Sequence, residues 1–134
     1  MQRKYLKKII AQSPEDLHLI SACCFNAKVK LNNIKYLSTN KIFLIYLSRV
    51  NNEKDRKKTL NSILKFEFIE ASKSKNIDQN NSNLVFKLLG INLFKRDKNF
   101  EITLLFSKNK IMTLNAEVIE VTLEDQKLID DKNF

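Results

Sequence analysis

Apolar and polar residues alternate with period two along most of the chain, as in strands that bury one face. The longest such stretch is Phe100 to Leu123, FEITLLFSKNKIMTLNAEVIEVTL. Phe100, Ile102, Leu104 and Phe106 make one apolar row, Ser-Lys-Asn-Lys interrupts it, and Met112, Leu114, Ala116 and Val118 resume it. An antiparallel hairpin with a long second strand is predicted. After Val118 the phase moves to Ile119, Val121 and Leu123, so one extra residue near Val118 predicts a β-bulge that bends the strand.

Upstream, Tyr5 to Ala11 predicts a first strand. Ser13-Pro14-Glu15-Asp16 is a helix start: an N-cap hydroxyl, proline at the first helical position and two carboxylates in the first turn. Leu17, Ile20 and Cys24 share one side at helical spacing, with Ala22, Cys23 and Phe25 on a broader apolar surface. The helix is therefore expected over Pro14 to Phe25. Val29 and Leu31 begin the next strand, Asn32-Asn33 reads as a turn with asparagine in place of glycine, and Ile34 and Tyr36 follow. Ser38 to Lys41 is a second turn. IFLIYL, Ile42 to Leu47, is apolar without a break, which predicts a central strand covered on both faces.

Arg49 to Thr59 reads as a charged loop, and Leu64, Phe66 and Phe68 as alternate positions of the next strand. Ser72 to Asn83 reads as a polar connection. Leu84 to Phe94 predicts a strand that contains the only glycine, Gly90, where a bulge or a close backbone approach is expected. Lys95 to Asn99 is a turn, and Glu124 to Phe134 a polar tail. The whole predicts one α+β domain over residues 1–134 with its core at about 5–123. Its sheet is mainly antiparallel and curved, or a partial barrel, of about seven strands with one N-terminal helix. A pleckstrin-homology-like arrangement is preferred.

Composition narrows the setting. A chain of 134 residues fits one domain, and 43% hydrophobic residues with nine phenylalanines supply a core without disulfide or metal. The two cysteines, Cys23 and Cys24, are neighbours and cannot staple distant segments, which points to a reducing, cytoplasmic setting. No apolar run reaches the roughly 20 residues of a membrane span, and the N-terminus lacks the h-region of a signal peptide.

The net charge of +9 and pI near 9.6 invite a nucleic-acid reading. Twenty lysines against four arginines, and sixteen asparagines against one glycine, instead carry the mark of an AT-rich genome. Much of the charge is then background on solvated faces, and nucleic acid is not favoured.

Candidate chemistry is sparse. His18 stands alone in a helix without metal-type neighbours, and no Cys-x-x-Cys or glycine-rich phosphate loop occurs. No catalytic residue, metal or cofactor is assigned. Glu15 with Asp16 belongs to a helix start, and Asp130 with Asp131 to the tail, so an enzyme is the least favoured class. Basic clusters remain: Arg49, Lys54, Arg56, Lys57 and Lys58; Lys73 and Lys75; Lys95, Arg96 and Lys98. Alternate connections of a meander emerge at one end of a sheet, so two of these clusters are candidates to converge on an anion. Phe66, Phe68, Phe86 and Phe94 read as core rather than as platforms for stacking bases.

The ordered set SPEDLHLISA, AKVKLNNIKYLSTNKIFLIYLSR, KSKNID, LVFKLLGINL and KIMTLNAEVIEVTLED resembles an alphaproteobacterial family catalogued as domain of unknown function 2948. The resemblance covers about Leu6 to Asp125. It implies no reaction, cofactor or partner. The family tends to carry glycine where this chain has Asn32, Asn76 and Asn109, and arginine where it has lysine. Arg49, Arg56, Lys73, Ser74 and Lys75 fall where the family also places basic or hydroxyl residues, which makes them the candidate anion-binding set. The expected function is a small non-enzymatic cytoplasmic module acting through a protein partner or by self-association. A phosphate or nucleic-acid binder using loop Lys and Arg is the alternative.

Overall fold

Strand β1 (Lys8–Ala11) leads into helix α1 (Pro14–Cys23), and eight further strands follow: β2 (Ala27–Leu37), β3 (Ile42–Glu53), β4 (Arg56–Phe66), β5 (Ile69–Lys75), β6 (Val85–Arg96), β7 (Asn99–Phe106), β8 (Lys110–Ala116) and β9 (Val121–Asp125). The computed structural model describes residues 7–53 and 56–126, and side chains outside 51–58. Among these residues the strands form one antiparallel sheet in the order β1-β9-β4-β3-β2-β6-β7-β8-β5. The class is α+β, as expected, but the strands number nine rather than about seven: β5 begins ahead of an expected polar connection and runs into it, and the long strand expected from Met112 to Leu123 is two, β8 and β9. Two polar segments that read as loops are ladders.

The first is Arg49 to Thr59. It is the far half of the β3–β4 hairpin, paired from Arg49↔Leu60 out to Glu53↔Arg56. The second is Ser72 to Lys75, which pairs with β8 from Ser72↔Leu114 to Lys75↔Ile111. Asn32-Asn33 is not a turn either: β2 runs through it, and the β2–β3 register shifts between Val29 and Ile34. There the amides of Leu31 and Asn32 donate to the carbonyls of Leu84 and Ser82. The extra β2 residues therefore serve the segment that returns to β6.

The helix begins as expected. Ser13 is extended at φ −138°, and its hydroxyl accepts from the Asp16 amide at 3.2 Å. Leu17, Ile20 and Cys24 are buried against the sheet. The helix stops at Cys23, and Asn26 takes a left-handed φ of 66°, which throws Phe25 outward; Ala22 and Phe25 are exposed rather than part of a wider apolar surface. The β2–β6 ladder ends at Ala27↔Leu88. Beyond it the Ile91 amide donates to the Ser21 hydroxyl of α1 at 3.0 Å, so the helix satisfies a strand donor that β2 does not reach.

The core is one continuous cluster with Phe43, Phe66, Leu64, Ile102, Leu104, Leu114 and Leu123 at its centre. Phe43 meets Phe66 edge-on at 6.1 Å, and Phe86 meets Phe106 at 4.7 Å, geometries that suit the ring quadrupoles. β3 is central, but only its inner row is packed: Tyr46 is exposed and Leu44 half-buried on the outer face. Among the described residues the one helix lies against β1 and β6 and does not cover the outer face of β3.

Two corners curve the sheet. Two residues, Glu67 and Phe68, separate β4 from β5, and four, Glu117 to Glu120, separate β8 from β9. The corners are bonded to each other by Glu67 N–H to Glu120 C=O at 2.9 Å and Glu117 N–H to Phe68 C=O at 3.0 Å. The phase slip near Val118 is thus a corner four residues wide rather than a bulge of one residue. Phe68, at φ 60°, sits in a region that bulky residues avoid, and it points outward rather than continuing the row of Leu64 and Phe66. The bulge expected at Gly90 is present, between Leu88↔Phe106 and Gly90↔Leu105. Asp125 belongs to β9 and is buried, so the core extends past residue 123; Asp130 and Asp131 lie outside the described residues. Among the described residues no helix is long and apolar enough to cross a membrane.

Candidate binding groove

Alternation on β5 and β8 builds the site. Lys73 pairs with Thr113 and Ala71 with Asn115, and these four share the outward face, while Ser72 and Ser74 pair with the buried Leu114 and Met112. β8 lies between β7 and β5, so Thr113 and Asn115 form a floor. The β6–β7 hairpin closes the other side with a two-residue tip, Asp97-Lys98, between Arg96 and Asn99; Asp97 has a left-handed φ of 51°. Together Ala71, Lys73, Arg96, Lys98, Thr113 and Asn115, with Asp97 and Asn99 to Glu101, line an open groove of about 990 Å³.

The groove is lined mainly by polar side chains, although its exposed surface is more apolar than polar, and it is partly preorganised. Asn99 Nδ2 donates to Asn115 Oδ1 at 3.2 Å, and Arg96 lies 3.6 Å from Glu101 and 5.7 Å over the Phe94 ring. Lys95 lies 5.1 Å over Phe100. Among the described residues Lys73, Lys75 and Lys98 have no ion-pair partner. Phe94, expected in the core, is 46% exposed, as is Phe68 at 45%. Among the described residues no three His, Cys, Asp or Glu side chains lie together as a metal site.

Of the residues singled out in the sequence, Lys73, Ser74 and Lys75 are consecutive on β5 but do not act on one face. Ser74 turns to a smaller cleft of about 270 Å³ with Ile34, Tyr36, Phe43 and Met112, and its hydroxyl accepts from Gln79 Nε2 at 2.9 Å. Arg56 pairs with Glu53 at the β3–β4 hairpin, and its side chain lies outside the described ones. Arg49 is only 4% exposed. Its Nη2 donates to Asp125 Oδ1 at 2.8 Å and Oδ2 at 2.9 Å, and its Nε to Ser62 Oγ at 3.2 Å. An external anion would have to displace Asp125 to reach it.

Around that pair the electrostatics are settled internally. Burial pushes the Asp125 carboxyl up, but the Ser62 hydroxyl at 2.7 Å, the Lys7 amide and the Arg49 guanidinium outweigh it and hold the pKa below its ordinary value. Burial raises the Cys24 thiol to about 12, against the opposing pull of Arg49. A third cluster is wholly on the surface at the corner: Lys41 bridges Glu70 at 3.1 Å and Glu117 at 3.2 Å. Donating hydrogen bonds to Glu70 and Glu117 raises the Lys41 pKa, and the bonds with Lys41 and then Glu70 lower that of Glu117.

Residues 7–131 match the family described as Protein of unknown function (DUF2948). The chain belongs to that family. No curated protein and no solved structure matches it. Of the DUF2948 positions singled out in the sequence, the groove takes Lys73, with Lys75 two residues along the same face. Its other cations, Arg96 and Lys98, stood in a separate basic cluster of the sequence. Thr113 and Asn115 were missed, because small polar residues alternating outward on a strand look like any solvated face.

Proposed function

We propose that this DUF2948 chain is a non-enzymatic cytoplasmic binding module that holds an extended segment of a protein partner along the free edge of β5, with side chains reaching over Lys73 toward the groove. One observation carries the reading: β5, the strand that walls the groove opposite the β6–β7 hairpin, has no strand on its far side among the described residues. Among the described residues β5 ladders only with β8; Ile69 is otherwise engaged, its N–H donating to the Lys41 carbonyl and its C=O accepting from the Tyr36 hydroxyl, so it is alternate backbone groups of Ala71–Lys75 that are turned away from the sheet. An extended peptide satisfies such groups by adding a strand, while neighbouring pockets read its side chains. The groove offers hydroxyl, amide and ammonium groups but no nucleophile beside a base. The free thiols of Cys23 and Cys24 support a reducing compartment. The two-cornered sheet favours a pleckstrin-homology-like partial barrel; a solved structure with the two ends of the sheet splayed flat would end that part of the reading.

The test is selection of random peptides of about ten residues on the wild type, with counter-screening on Thr113→Tyr/Asn115→Tyr. Tyrosine suits outward strand positions and fills the groove without altering charge. Selected peptides are expected to protect the amides of Ala71 to Lys75 from hydrogen exchange and to lose binding to the filled variant. Failure to select any, or equal binding to the filled variant, would overturn the proposal.

A further inference from the structure

We infer that the segment received at β5 is acidic, with carboxylates at alternate positions that meet Lys73 and Lys75. The inference rests on the groove reading above and adds the chemistry of the partner. Lys73 and Lys75 are two residues apart on one strand, opposite Thr113 and Ile111, so both ammonium groups stand on the outward face. A strand added at the vacant edge places every second side chain on that same face, directly beside them. Across the groove Lys98 is also without an ion-pair partner among the described residues, whereas the Glu101 carboxylate is already engaged by Arg96. The charge left for a ligand to neutralise is therefore mainly positive. The lysines also argue against a second copy of the chain as occupant. Two β5 edges paired about a twofold axis would gather four ammonium groups on one face of one ladder, the arrangement by which natural sheets deter self-pairing. Single-stranded nucleic acid fits less well. Phe94 is tied up under Arg96 and Phe100 under Lys95, so neither ring offers a free face for stacking bases.

The decisive experiment titrates fluorescent peptides of one length, with Glu, Gln or Lys at alternate positions, against the wild type and Lys73→Glu/Lys75→Glu. An unstructured oligonucleotide of similar length is the fourth probe. Both lysines are exposed and, among the described residues, without ion-pair partners, so the variant is expected to keep its fold, which circular dichroism checks. The Glu peptide is expected to bind the wild type about tenfold more tightly than the Gln peptide. The variant should reverse the order and prefer the Lys peptide, and both preferences should shrink as salt is raised. Equal binding of all three peptides would overturn the acidic partner and leave the groove reading standing. No binding by any peptide, or binding of the oligonucleotide alone, would overturn both.

Discussion

Arg49 and Asp125 show how a residue's neighbours decide its role. In the sequence Arg49 opens a charged run and looks like a solvent-facing cation; its partner lies 76 positions away, beyond any local pattern. In the fold both sit on the inner rows of β3 and β9, where a lone charge would be costly and a fully bonded pair is tolerated. Asp125→Asn removes the counter-charge and strands the guanidinium, so it is expected to destabilise the fold by about 3–5 kcal/mol in urea titration. Arg49→Met/Asp125→Leu should recover a large part of that loss, and a double variant as unstable as Asp125→Asn would show that the pair's geometry matters more than its charge. The pH dependence has a definite sign. The folded pKa of Asp125 is depressed, so its contribution is complete above the ordinary carboxylate value near 4 and is lost as pH falls through the lower, folded value. Wild type should therefore lose stability on acidification more steeply than Asp125→Asn. Cys24 beside this pair is buried with its pKa raised to about 12, so little thiolate forms at neutral pH. A thiol reagent is expected to modify Cys23 readily and Cys24 only at the rate of unfolding; equal rates at both would contradict the burial.

Among the elements, the ones with a buried face were legible and the ones without were not. The helix start, the β7–β8 hairpin and the Gly90 bulge all announce themselves through caps, alternation or a lone glycine. β5 does not. Its outward residues are Ala71 and two lysines, and its inward ones are serines facing a small cleft, so both faces are polar and period two carries no contrast. In the far half of the β3–β4 hairpin the buried inward residues among the described side chains are Arg49 and Leu60, and the charge at Arg49 hides the alternation. The turn asparagines were half legible. Asn76 and Asn109 do occupy left-handed conformations, at φ 64° and 59°, whereas Asn32 does not. Asn76 Nδ2 also donates to the Asn109 carbonyl at 2.7 Å, holding the end of β5 to the β7–β8 turn. Asn109→Ala should cost about 1 kcal/mol through its left-handed φ, while Asn109→Gly should be neutral or slightly stabilising. Thermal melts distinguish the two; an alanine variant as stable as wild type would mean that the turn relaxes out of that conformation.

At the scale of the molecule, two long bent strands hold the sheet together. β4 continues into β5 and β8 into β9, and the two run side by side on both arms, through Phe66↔Val121 on one and Ile69↔Ala116 on the other. Neither arm is a separate piece of chain. The arm that carries the groove borrows β5 from a strand whose other half lies beside β3, and its β8 leads directly into the strand that carries Asp125. The core cluster likewise runs unbroken from Ala11 to Leu123. A chain wired this way is expected to unfold as one unit, so that stability lost at the Arg49–Asp125 pair is lost at the groove as well. Urea unfolding followed by far-ultraviolet circular dichroism, by tyrosine fluorescence and by labelling of Cys24 should give one midpoint. The three probes should also agree on a slope of roughly 1–3 kcal/mol per molar urea. In Asp125→Asn all three midpoints should move down together. Hydrogen exchange at Lys110–Ala116 that kept its wild-type protection in that variant would separate the arms and show that the corners behave as hinges between independently stable halves.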